Sequence, residues 1–216
     1  MDDPEVDPLD LTRNFDDIER ANRMFGGIAP VVREVFSRKA EWVLDVGCGS
    51  GDIARALISK ARRRGRSLEI VCVDHSEAAL EIARERTRGE DRIRFTGADA
   101  MVLPFPDNSF DVATCSLTLH HFNPDEAVLV LRELRRVSRL TPLVFDLRRS
   151  LGSYFAALLF VTFFAKSRLT KHDGPLSARR AYTPREALGL AEEAGWNAPR
   201  VTRLPWERML LYDGGD

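Results

Sequence analysis

The strongest chemical signal in the chain is the stretch Val43-Leu44-Asp45-Val46-Gly47-Cys48-Gly49-Ser50-Gly51. An apolar run ends in three glycines at alternate positions, and a helix-type sequence follows. Glycine in such a loop lets a ligand approach the backbone where a Cβ would collide, at the positive end of the next helix. A dinucleotide fingerprint places its third glycine one residue later, where Asp52 stands, and a P-loop needs a lysine followed by Ser or Thr. The Asp52 carboxylate would repel a pyrophosphate, so the loop suits a ligand with a positive group better than one with several phosphates. Two further acids follow apolar runs. Asp74, directly after residues 68–73, can accept two hydrogen bonds from a ribose diol, and Asp99 in Gly97-Ala98-Asp99-Ala100 can accept from an exocyclic amine.

These residues require a frame of strands ending at one edge. Short apolar runs at 42–46, 68–73, 93–95, 110–117 and 143–145 read as strands. Helix patterns over 52–64 and 76–88 alternate with them. Asn123-Pro124-Asp125-Glu126 opens another helix with an N-cap, a proline at the first position and a glutamate at the third. Such alternation means a parallel sheet with helices on both faces. Before it, residues 11–25 read as a helix stopped by Gly26-Gly27, and 30–40 as a second. After it come an uncharged segment over 151–165 and a polar, basic loop over 166–180. A capped helix then runs from Thr183 to near Gly195, and two last strands lie within 196–212.

The chain has 216 residues, 44% hydrophobic and 30% charged, a length for one domain rather than two with a linker. Its net charge of −1 supplies no basic field, so nucleic acid is not an expected partner. Cys48, Cys72 and Cys115 each sit in an apolar run and are too few for a disulfide framework. A cytoplasmic protein with reduced thiols is therefore expected. The acidic, proline-broken Met1-Asp-Asp-Pro-Glu-Val-Asp-Pro8 has neither the basic start nor the apolar run of a signal peptide and reads as a tail. As a helix, residues 151–165 would span only ~22 Å against a hydrocarbon core of ~30 Å, so no transmembrane segment is expected. The four histidines lack metal-ligand spacing among themselves and with the cysteines, so no metal is expected. The basic runs 60–66 and 132–139 read as solvated helix ends and faces.

VLDVGCGSG, then Asp74, then GADA followed by LPFPDNSFDVATCSLTLHHF, closely resembles the class I S-adenosylmethionine-dependent methyltransferases. Among them it is most similar to the small-molecule branch that includes the ubiquinone and menaquinone biosynthesis methyltransferases. The resemblance covers residues 42–145 well and the terminal parts loosely. It implies an α/β fold: a Rossmann-like, doubly wound, seven-stranded, mostly parallel sheet with helices on both faces. One domain would span 1–216, comprising a helical cap (1–40), a cofactor-binding core (41–147), a substrate-covering insertion (148–182) and a C-terminal helix with strands (183–216). The cofactor implied is S-adenosylmethionine, leaving S-adenosylhomocysteine as product.

Carried over by position, Asp45, Gly47, Cys48, Gly49, Ser50 and Gly51 would surround the amino acid part of that cofactor. Asp74 would hold the ribose hydroxyls, with His75 beside the adenine. Asp99 and Ala100 would contact the adenine through side chain and backbone N–H, and Ser116 would lie near the methionine moiety. Arg13, Phe15, Asn22 and Arg23 are candidates on a closing N-terminal helix, where an arginine would pair with the cofactor's carboxylate. Competing readings leave Asp45 as a helix-dipole partner and the cysteines as packing residues.

His120 and His121 follow the fourth strand at the edge where open parallel sheets bind ligands, and are the candidate catalytic residues. A sulfonium methyl needs an aligned nucleophile and, for a hydroxyl acceptor, a base near neutral pH, which suits histidine. The competing role is to shape the pocket. Residues 151–165 would form an apolar roof, with Phe155, Phe160, Phe163 and Phe164 facing the acceptor and His172 and Tyr182 reaching into the same pocket. The flanking Arg148, Arg149, Lys166, Arg168 and Lys171 also suit a helix touching a membrane surface, the alternative reading. The expected activity is methylation of a small, rather apolar acceptor (aromatic, polyketide-like or quinone-like), at oxygen in preference to carbon. Its rivals are an RNA or protein methyltransferase and a cofactor-binding partner protein without turnover. The sequence sets no oligomeric state.

Overall fold

The apolar run at Trp42–Val46 is strand β1, buried over four of its five residues. In the computed structural model, which describes residues 7–25 and 27–215, β1 pairs in parallel with β2 (Glu69–Asp74) and β4 (Phe110–Ser116). A strand covered on both faces by helices needs such a continuous apolar run. Beyond β2 lies β3 (Ile93–Gly97), and beyond β4 lies β5 (Ser138–Leu147), both parallel to their neighbours. The hairpin β6 (Pro199–Leu204) and β7 (Arg208–Asp213) adds two antiparallel strands, β7 against β5. The seven strands run β3-β2-β1-β4-β5-β7-β6, so the order reverses between β1 and β4. In such sheets a crevice opens beyond the carboxyl ends of the strands at that reversal.

Two apolar layers hold the sheet. On one face α5 (Pro124–Val137) and α8 (Pro184–Glu193) pack through Leu131, Leu134, Ala187 and Ala191 onto Leu44, Ala113 and Met209. On the other, α2 (Ala29–Ser37), α3 (Asp52–Arg63) and α4 (Glu77–Arg86) pack through Val35, Leu57 and Leu80 onto Val43, Ile70 and Val112. Helix α3 buries Ile53, Ala54, Leu57, Ile58 and Ala61, one stripe at helical spacing, and carries Lys60, Arg62 and Arg63 in its last turn, where the dipole favours cations. Both expected capping boxes form, Asn123 with Glu126 on α5 and Thr183 with Glu186 on α8. The tail reading at residues 1–6, and Gly26 of the expected glycine stop, lie outside the described residues.

Three more helices cover the carboxyl edge: α1 (Pro8–Met24), α6 (Leu151–Phe163) and α7 (Arg168–Arg180). Helix α7 corrects the expected loop over 166–180. Ser167 caps it by accepting from the Leu169 N–H, and Pro175 sits inside it; a polar, proline-bearing sequence hides a helix held by tertiary contacts. The fifth strand is also longer than expected, beginning at Ser138 directly after α5, because exposed Arg139 and Leu140 and the proline at 142 break its apolar run. Helix α6 is 13 residues long, and no helix among the described residues is long and apolar enough to cross a membrane.

Candidate active site

A cavity of about 570 Å³ opens at the reversal point, walled by the loops after β1 to β4, by α1, α6 and α7, and by the β6–β7 hairpin tip. The loop after β1 holds Gly47, Gly49 and Gly51 at φ +69°, +51° and +73°, the left-handed region that favours glycine. A Cβ on Gly47 would stand 2.5 Å from the Thr118 side chain, and one on Gly49 would stand 2.9 Å from the Phe15 ring. The glycines therefore let two walls of the cavity close on the loop. The N–H groups of Gly47 and Cys48 both donate to the Val73 carbonyl, tying this loop to the end of β2.

Of the expected cofactor residues, Gly47, Cys48, Gly49, Ser50, Asp74, His75, Asp99, Ala100 and Ser116 line this one cavity. Asp74 accepts from the Gly49 N–H at 2.9 Å and from the Ser76 N–H at 3.0 Å, and so braces the glycine loop. Asp99 is exposed and accepts from the Met101 N–H at 2.8 Å. Ser116 Oγ is buried without a hydrogen-bond partner among the described residues. Asp45 and Gly51 are not in the lining. Asp45 is buried beneath the loop, accepting from Thr114 Oγ1 at 2.9 Å, and burial, partly offset by that bond, pushes its carboxyl up to about 7. Gly51 is the N-cap residue of α3. Cys48 and Cys72 are buried, each raised in pKa, so neither is a ready nucleophile.

Helix α1 forms the wall facing the loop. Phe15 and Asn22 line the cavity, whereas Arg13 and Arg23 are exposed outside it. The clamp is Glu19, whose Oε1 accepts from Ser50 Oγ at 2.9 Å and from Arg55 and Arg86 at 2.5 Å each. Asn22 donates to Asp52 Oδ2 at 3.1 Å, and its Oδ1 is buried without a partner among the described residues. From the far side, Asp17 accepts the N–H groups of Lys166 and Ser167, locking α1 to the start of α7.

His120 and His121 sit on a short 3₁₀ turn, Leu119–His121, and both line the cavity, with ring centroids 4.4 Å apart. His120 Nδ1 lies 2.6 Å from Asp146 Oδ1 near the end of β5, and the His120 N–H donates to Asp146 Oδ2 at 3.0 Å. Burial alone would raise the Asp146 carboxyl, but the charge and hydrogen bond of His120, with the N–H groups of Leu147 and His120, outweigh it and hold it below its usual range. Nδ1 is thus engaged, and Nε2 is the ring nitrogen left for a ligand. Asp146 is an unforeseen member of the site. Its signal was an acid near a strand's carboxyl end, the same as for Asp74.

The expected acceptor contacts need correction: Phe160 lines the cavity, whereas Phe155, Phe163, Phe164, His172 and Tyr182 do not. Phe155 is 57% exposed, since α6 turns Ser153, Ala156, Ala157 and Phe160 inward and leaves Phe155, Phe163 and Phe164 on its outer side. His172 faces solvent beside Asp173 at 2.9 Å. Tyr182 is buried, its hydroxyl donating to the Phe122 carbonyl at 2.7 Å behind the histidine turn. Trp206, Arg208 and Thr118 line the cavity without having been anticipated.

This geometry agrees with what the chain is similar to. Residues 43–140 match the family described as a methyltransferase domain. A demethylmenaquinone methyltransferase of Staphylococcus aureus is 35% identical over an alignment of 150 residues that covers 64% of this chain and 60% of that protein. The chain thus spans about three fifths of the length of that relative. The structure of an SAM dependent methyltransferase from Aquifex aeolicus superposes with TM-score 0.66 at 21% identity, covering 96% of this chain and 98% of that one. A structure of PigF with SAH superposes with TM-score 0.62 at 18% identity, over 86% and 59% of the two chains. Fold, loop order and the match over the core converge: residues 43–140 are similar to the methyltransferase-domain family, and the chain has the fold of the methyltransferase structures it superposes on.

Proposed function

We propose that the chain moves a methyl group from S-adenosylmethionine to a small, rather apolar acceptor, with a hydroxyl oxygen as the attacked atom. The observation that carries this reading is one cavity in which the glycine loop, Asp74 and Asp99 meet the His120–Asp146 pair. The lining fits a cationic cofactor. Asp52, Asp74 and Asp99 supply negative charge, and Ser116 Oγ and Asn22 Oδ1, without partners among the described residues, can take polar contacts. Asp74 would accept from the ribose hydroxyls through lone pairs its two backbone bonds leave, and Asp99 and Ala100 would meet the adenine. When bound, the cofactor supplies a methyl on a sulfonium, whose leaving group needs no acid. The chain's own task is to hold the acceptor in line, exclude water and take its proton. His120 Nε2 would remove the hydroxyl proton while Asp146 holds the ring and stabilises the imidazolium. The quinone-like acceptor in the name of the Staphylococcus aureus relative supports a small apolar acceptor here as well.

A lipid surface as the acceptor's source is favoured by α6. Its inner side walls the cavity, while Leu151, Phe155, Leu159 and Phe163 are 57–79% exposed on the other, beside exposed Lys166, Arg168 and Lys171. An apolar strip beside cations is the pattern of interfacial binding. The test of the reaction is transfer of labelled methyl from S-adenosylmethionine into cell extract, split into solvent-extractable and macromolecular fractions. Label in the solvent-extractable fraction, as an ether, is the expected result. Label on carbon overturns the oxygen assignment, and label only in RNA or protein overturns the small-molecule reading.

A further inference from the structure

On the β7 side of the cavity, a charged side chain has a nitrogen without a hydrogen-bond partner among the described residues. Arg208 opens β7, opposite Leu147 of β5, and lines the cavity while only 7% exposed. Its Nη1 is buried without a hydrogen-bond partner, and it makes no ion pair among the described residues. The two nearby acids are already committed. Glu207, its chain neighbour, accepts from Ser150 Oγ and Arg148 Nη2 at 2.5 Å each, and Asp146 is held by His120. One face of the guanidinium lies over the Phe145 ring, 5.7 Å from its centroid, which leaves the N–H edge for another group. A buried guanidinium nitrogen left without a hydrogen-bond partner is costly, and one kept at a cavity wall suits an anion that arrives from outside. Burial lowers the Arg208 pKa to about 10, opposed by Asp146, so the group is still charged at neutral pH.

We propose that Arg208 is the specificity residue for the acceptor, pairing with an anionic oxygen group, a carboxylate or an ionised ring hydroxyl, on an otherwise apolar molecule. The inference rests on the methyl-transfer reading for one point, which end of the cavity the acceptor takes. Strand order supplies the rest: the cofactor loops follow β1, β2 and β3, and β7 lies beyond β4 and β5. The guanidinium fork matches a carboxylate with two parallel hydrogen bonds, and the apolar Leu147 and Trp206 beside it in the lining suit a ring or chain carrying that group.

Calorimetric titration of the full chain tests this with 2-naphthoate, its methyl ester, and 2,4-dinitro-1-naphthol, which is ionised at neutral pH, each with and without S-adenosylhomocysteine. The wild type is expected to bind one or both anions about 10- to 100-fold more tightly than the ester. A preference for naphthoate alone marks a carboxylate, and one for the naphtholate alone marks a ring hydroxyl. Arg208→Met is expected to lose that preference while binding S-adenosylhomocysteine as the wild type does, and Arg208→Lys to keep part of it. Removing an unpaired buried charge should leave the melting temperature of Arg208→Met equal or higher; a marked fall would assign the residue to the fold and overturn the proposal. Equal wild-type affinity for all three probes overturns it, as does a loss of S-adenosylhomocysteine affinity in Arg208→Met, which would place the guanidinium on the cofactor. A wild type that fails to bind S-adenosylhomocysteine counts against methyl transfer, yet leaves the anion preference measurable by itself, so the two failures are distinguishable.

Discussion

Asp74 and His120 are buried polar residues whose partners define their work. Asp74 joins the end of β2 to the glycine loop through two backbone N–H groups, so it both shapes the loop and lines the cavity. Asp74→Ala is expected to weaken S-adenosylhomocysteine about 100-fold or more, since hydrogen bonds to a charged group contribute about 1.5–3 kcal/mol each. Normal binding in isothermal titration would sink the ribose assignment. For His120, truncation to alanine would leave Asp146 as an unpaired buried charge, so His120→Gln is the better probe. A base role predicts a fall in kcat of about 10²–10⁴-fold and loss of the acid limb of the pH–rate profile. A variant that keeps rate and limb removes the histidine as base and leaves it shaping the pocket.

At the scale of elements, α6 separates two roles by helical phase. Ser153, Ala156, Ala157 and Phe160 face the cavity, and Phe155, Leu159 and Phe163 face away from it. The segment is apolar all round, so hydropathy alone does not say which of its four phenylalanines lines the cavity; Phe160 does, and Phe155 stands on the outer side. The lipid-surface reading predicts that Leu159→Glu with Phe163→Glu weakens sedimentation with anionic phosphatidylglycerol vesicles at least tenfold, while S-adenosylhomocysteine affinity stays unchanged. Equal vesicle binding by the variant would remove α6 as the contact. Helix α1 shows the same dependence on tertiary partners. Its amphipathic pattern was legible, but the Glu19 clamp on Ser50, Arg55 and Arg86 draws on residues 31, 36 and 67 positions away.

At the scale of the molecule, the sheet interior sets its own pH dependence through Asp45. Its folded carboxyl titrates at about 7 against an ordinary 3.8, so between those values the folded chain holds a proton that the unfolded chain has released. Stability therefore falls as pH rises from about 4 to 7 and levels off above. Asp45→Asn stays neutral, and relative to wild type it is expected to gain on the order of 2–4 kcal/mol in going from pH 4 to pH 8. Urea denaturation at the two pH values checks this, and parallel curves for the two proteins would refute it. Local sequence pattern alone gives the seven strands, every helix except α7, both capping boxes and the glycine loop. Each of these is a local pattern: apolar runs, a cap three residues from its partner, glycines where the backbone must turn left-handed. Long-range packing puts Asp45 beneath the loop rather than in the cavity, sets Asp146 behind His120, and leaves Arg208 Nη1 without a hydrogen-bond partner among the described residues. Those outcomes depend on which distant strand ends are brought into register at one edge of the sheet, and on what burial there does to a charge. No window of neighbouring residues carries that information.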